Sequence, residues 1–80
     1  WNVYPNPVVG GDLNLPMTGV QGGVEVEVYD LAGRRWVQEA FTMTGERQLT
    51  LDVNDLAPGH YVVRMVQGGH SRAAKFVVRR

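Results

Sequence analysis

Few side chains in this 80-residue sequence are reactive, and their spacing limits what they can do. Ser71 is the only serine, there is no cysteine, and the histidines are His60 and His70. Nucleophilic catalysis at a serine needs a base within hydrogen-bond reach and a third group to orient that base. Ser71 follows His70 directly, and neighbours on a strand face opposite sides, so the pair is poorly placed. His60 is the other partner open to Ser71, and no orienting residue accompanies it. Both histidines are expected to be exposed near strand ends. Glu25 and Glu27 have the spacing of paired carboxylates, but they alternate with Val24, Val26 and Val28, which marks the solvated face of a strand. Asp52, Asn54 and Asp55 are calcium-ligand types without the EF-hand spacing or its closing glutamate, and read as a turn. The pairs Gly10-Gly11, Gly22-Gly23 and Gly68-Gly69 do not open helices, so they read as turns or loops and not as a phosphate cradle. Trp1 and Trp36 are of a type that stacks on sugars; Trp36 lies mid-strand and is expected in the core. The chain is therefore read as non-catalytic, with no cofactor and no metal.

Strands are expected nearly throughout. "VEVEVYD" (24–30) and "RQLTLDV" (47–53) alternate strictly, the second with Leu49, Leu51 and Val53 inward. "HYVVRMVQ" (60–67) is apolar on both faces around Arg64, as an interior strand would be. "DLNLPM" (12–17), "RRWVQEAFTM" (34–43) and "AAKFVVRR" (73–80) complete the set. "DLAGRR" (30–35) predicts a hairpin turn with Gly33 at positive φ, and "MTGER" (43–47) another turn. "VNDLAPG" (53–59) has room for one helical turn, stopped by Pro58. About seven short strands at roughly ten-residue spacing predict an all-β chain, an immunoglobulin-like antiparallel sandwich or a small barrel. "LAPGHY" (56–61) favours the sandwich, because a Pro-Gly bend before Tyr61 matches a tyrosine corner, in which the hydroxyl bonds a backbone group of the corner.

Composition sets the bounds. The chain reads as one domain over residues 1–80, with an apolar fraction of 44% that suits a packed core. A chain of this size buries only roughly 60–65% of its unfolded surface, and without cysteine it has no disulfide staple. No apolar run approaches the ~20 residues of a membrane-spanning helix, so no membrane insertion is expected. No signal peptide is visible and the first residue is Trp1, which suggests a piece of a longer protein. Net charge is zero but uneven: residues 1–55 hold all eight acids and three arginines, and residues 56–80 hold five basic residues and no acid. This reads either as strands of opposite charge pairing or as a basic face for an anionic partner. Nucleic acid is not expected, because the only aromatics in the basic part, Tyr61 and Phe76, look like core.

"YPNP" (4–7) is the odd opening of a strand-rich chain. Pro5 and Pro7 donate no N–H and cannot serve a central strand. The stretch reads as a rigid entry device that seats Tyr4 on the sheets and aims the preceding chain outward along an edge.

Taken in order, Tyr4-Pro5-Asn6-Pro7, "VEVYDLAGR" (26–34), "LDVNDLAPGHYVV" (51–63) and "KFVV" (75–78) make the chain resemble one family. That family is the C-terminal sorting domain (type A) of proteins exported by the type IX (Por) secretion system of Bacteroidetes-like bacteria. The resemblance covers nearly all 80 residues. It implies a folded, non-catalytic signal that takes a covalently linked N-terminal cargo through the periplasm and across the outer membrane to the cell surface or medium. It implies two partners, the outer-membrane export machinery and a sortase-like peptidase that usually removes the domain and attaches the cargo to anionic lipopolysaccharide. The matching recognition candidates are Pro5, Asn6, Pro7, Gly59, Tyr61, Lys75, Phe76, Val77 and Val78. The final stretch is the favoured contact, as an accessible chain end whose edge over 73–80 adds to a receptor's sheet or presses into a groove; the same edge is also open to pairing between copies of the chain. One departure stands out: Lys75 is the only lysine among the basic residues. The rival readings are an immunoglobulin- or fibronectin-like spacer or carbohydrate-binding module of an extracellular enzyme, and the immunoglobulin-like domain of flagellar hook-capping proteins, which does not account for "YPNP".

Overall fold

The computed structural model describes all of residues 1–80. It is all-β, with six strands: β1 (Asp12–Pro16), β2 (Gln21–Asp30), β3 (Arg35–Thr44), β4 (Gln48–Asp52), β5 (Gly59–Gln67) and β6 (His70–Val78). They form two antiparallel sheets, β1-β4 and β3-β2-β5-β6. The strand count is six, where about seven were expected; the six runs named from the sequence each form one strand. No helical turn forms at 53–59; Leu56 N–H donates to the Val53 carbonyl (3.0 Å) in a plain turn.

The alternation of valines dictates which way β2 faces. Val24, Val26 and Val28 are buried, and so are Tyr61, Val63 and Met65 of β5 and Phe76 and Val78 of β6. Leu13 and Leu15 of β1 and Leu51 of β4 close the core from the other sheet. β5 is interior to its sheet, as its two-sided apolar run suggests. Burying a side chain of this size contributes about 1.5–3 kcal/mol, so these positions hold the fold.

Three local readings need correction. Gly22-Gly23 lies inside β2 and not in a turn; the missing side chains weaken the strand signal without ending the strand. Trp36 is 51% exposed, because its neighbour Val37 is the one opposite the buried Val28 and alternation turns Trp36 to the outer face. Residues 1–3 do not run outward: Val3 is buried and the Trp1 indole donates to the Pro16 carbonyl (2.9 Å), so the segment folds back along β1.

"YPNP" is where the chain changes sheets. Tyr4 exchanges both backbone bonds with Asn14 of β1 (3.1 and 2.7 Å). Four residues later, Val8 N–H donates to the Val77 carbonyl (2.7 Å) and its carbonyl accepts from Arg79 N–H (2.8 Å), at the edge of β6. Pro5 and Pro7, both after cis peptide bonds, fall in the gap where neither sheet asks for an N–H. The Asn6 side chain fills that gap like a peptide group: Oδ1 accepts from Val77 N–H (3.0 Å) and Nδ2 donates to the Lys75 carbonyl (3.5 Å). The edge expected to be open over 73–80 is therefore occupied from Lys75 to Arg79, which removes that stretch as a site for strand addition or self-pairing.

Candidate recognition surface

Asp30 organises the β2–β3 turn. Its Oδ1 accepts from the backbone N–H of Ala32 (2.9 Å) and Arg34 (3.0 Å), and its Oδ2 from Arg34 Nε (2.9 Å) and the Trp36 indole (3.0 Å). These donors, the Trp36 indole foremost, hold its pKa down at about 2. Gly33 sits at φ 86°, the left-handed conformation the turn requires, and the Arg34 guanidinium lies 5.4 Å from the Trp36 ring centroid. The turn is thereby rigid, and it thrusts Leu31 into solvent at 67% exposure.

Tyr61 fulfils the tyrosine-corner expectation: its hydroxyl donates to the Ala57 carbonyl (2.6 Å) while the ring stacks on Phe76, centroids 5.7 Å apart. Strand register then sets what surrounds this pair. Tyr61 is opposite Phe76 on the core face, and His60 is opposite Val77 on the outer face. The result is a corner cleft of about 160 Å³ lined by Asn6, Leu31, His60, Tyr61, Lys75, Phe76 and Val77. Leu31 and Val77 supply its outward-facing aliphatic side chains, and Asn6 and His60 its neutral polar ones. Its charged rim is Lys75, and no acid lines it.

Of the nine recognition candidates, Asn6, Tyr61, Lys75, Phe76 and Val77 thus come together. Pro5 and Pro7 form the crossing beside them, Gly59 opens β5, and Val78 faces the core. Phe76 and Val78 are core residues, so the last stretch is fixed by packing; only Lys75 and Val77 of it present side chains outward. Leu31 and His60 also line the cleft and are not among those candidates. The signal for Leu31 was a large apolar residue at a turn position with no strand neighbour to cover it.

The other groups weighed for chemistry do not converge. Ser71 is opposite Val66 and His60 is opposite Val77, which puts them six positions apart along β6, roughly 20 Å. Asp52 Oδ1 accepts from Asn54 N–H (2.9 Å), a turn bond. Glu27 sits among Arg35 (3.5 Å), Arg64 (3.9 Å) and the Tyr29 hydroxyl (2.9 Å), so opposite charge does pair across β2 and β5.

The family model described as secretion system C-terminal sorting domain matches residues 2–79, and the chain belongs to that family. Such domains carry their parent proteins through the type IX secretion system to the cell surface or the medium. No curated protein matches the chain.

Proposed function

We propose that residues 1–80 act as one folded sorting signal of immunoglobulin-like sandwich type, read through the corner cleft. The outer-membrane export machinery docks an apolar side chain against Leu31 and Val77, with an anionic group beside Lys75. A sortase-like peptidase then separates the domain from its N-terminal cargo. The domain is the substrate of that step, with no catalysis of its own. What supports this reading is a single observation: four stretches far apart in sequence, at Asn6, Leu31, His60-Tyr61 and Lys75–Val77, line one cleft.

The test is a transplant. Residues 1–80 are fused behind a linker and an inner-membrane export signal to a fluorescent protein, in a type IX-competent bacterium and in a secretion-deficient strain. Fluorescence on the surface or in the medium that vanishes in the deficient strain is expected. Leu31→Ser with Lys75→Glu should trap the fusion in the periplasm with the domain folded. Deleting residues 76–80 is a poor substitute, since it removes Phe76 and Val78 from the core. Normal export of the double variant would overturn the cleft as the contact, and export failure of the unchanged domain, beside a working native domain, would favour a spacer.

A further inference from the structure

The sheet edges are not treated alike. Residues 4–8 cover β1 at Asn14 and β6 from Lys75 to Arg79. β3 pairs only with β2, and β4 only with β1, so each keeps one bare edge. Because Val77 points its backbone groups at Val8, alternation through the β6, β5 and β2 registers directs those of Gln38, Ala40 and Thr42 away from β2. The same alternation from Asn14, which faces Tyr4, directs those of Thr50 and Asp52 away from β1.

Between these strands lies a groove of about 320 Å³. Val37, Val53 and Leu56 give it an apolar floor, Trp36 stands at one end, and Glu39, Asp52 and Asp55 are its charges. None of these carboxylates is in an ion pair, since the acids that are paired are Asp30 and Glu27. Glu39 sits on the inward face of β3, opposite Val26, where the smaller sheet does not reach to cover it.

We infer that this seam accepts an extended basic segment of another protein as an added strand on β3. Unpaired N–H and C=O groups of β3 supply the ladder, and apolar side chains of the guest fill the floor. Charge complementarity selects the occupant: only one face of the guest reaches the groove, so a guest carrying apolar and basic residues in turn on that face fills the floor and meets Glu39, Asp52 and Asp55, while an acidic guest meets three like charges. Trp36 adds an aromatic face for a guest cation. The site is separate from the corner cleft and does not depend on the export reading.

The test uses the 80-residue chain, ¹⁵N-labelled, titrated at about 0.15 M salt with a peptide of roughly ten residues repeating valine-threonine-lysine-threonine, so that one face carries valine and lysine in turn. Three peptides serve as comparison: a version with glutamate in place of lysine, and basic versions carrying alternate N-methylated amides in either phase. Expected are shifts confined to residues 36–42 and 52–56, slowed exchange of the Gln38, Ala40 and Thr42 amides, and loss of binding in at least one N-methylated phase. Glu39→Lys with Asp55→Lys should weaken binding about tenfold or more. Absence of shifts, shifts elsewhere, or undiminished binding by both N-methylated peptides would overturn the inference. Concentration-dependent shifts at the same residues without peptide would overturn it in favour of a second copy as occupant.

Discussion

The Asn6 side chain accepts a hydrogen bond from the backbone N–H of Val77, 71 positions further along the chain, at 3.0 Å. One side-chain amide thus continues the ladder of β6 where two prolines leave no backbone donor. Asn6→Ala should cost about 1 kcal/mol and speed exchange of the Val77 amide. Asn6→Asp keeps the acceptor and loses the donation to the Lys75 carbonyl, so it should fall between the two. Hydrogen exchange by NMR, with urea midpoints alongside, measures both.

Tyr61→Phe removes the bond to the Ala57 carbonyl and leaves the ring stacked on Phe76. The Ala57 carbonyl is in an exposed residue and regains water, so the loss should be about 1 kcal/mol, or roughly 4–8 °C in Tm for a domain of this size. Tyr61→Ala also empties part of the core and should cost about 3–5 kcal/mol, which threatens folding altogether. Scanning calorimetry of the two variants separates corner from core.

Asp30 carries the pH dependence of the β2–β3 turn. Its pKa is lower in the folded chain, about 2, than the unfolded value near 4. A depressed carboxylate adds stability above its unfolded pKa, and that contribution fades as pH falls to the folded value. The native chain should therefore lose urea resistance between about pH 4 and pH 2, and Asp30→Asn should show a shallower loss over the same span. Glu46, also held down, by the Thr44 backbone N–H, keeps that residual slope from vanishing.

Much of the architecture was legible because β-strand burial writes itself in period two. Val24, Val26 and Val28 announce the inner face of β2, and the Pro-Gly bend before Tyr61 announces the corner. What escaped was set by neighbours and not by local pattern. Trp36 has a strand-former's side chain, but the pairing of Val37 with Val28 decides that it faces out. Val77 and Lys75 looked accessible as part of a terminal run, while the partner that occupies their edge, Asn6, lies at the other end of the sequence. The cleft was only half legible: four of its stretches could be named from motif order, and their meeting at Leu31 could not, since a turn's direction depends on the Asp30 bonds that hold it.

Arg80 closes the loops beneath the core. Its guanidinium donates to the carbonyls of Val53 (2.9 Å), Gly10 (3.1 Å) and Leu56. Arg80→Ala should lower stability by about 1 kcal/mol, less than buried charged hydrogen bonds contribute, because the side chain is exposed. Arg80→Lys should not restore it, since an ammonium cannot span three carbonyls in a plane. Chemical denaturation of the three forms decides this.

The fastening of residues 4–8 to residues 75–79 also has a kinetic meaning. Contacts this distant along the chain close late, and folding dominated by them is slow, on the order of milliseconds to seconds. Lys75, Phe76 and Val77 supply three of the seven residues of the corner cleft. The cleft therefore exists only once β6 has docked, so under the proposed reading a nascent or clipped chain presents no address, and the signal reports completion as well as destination.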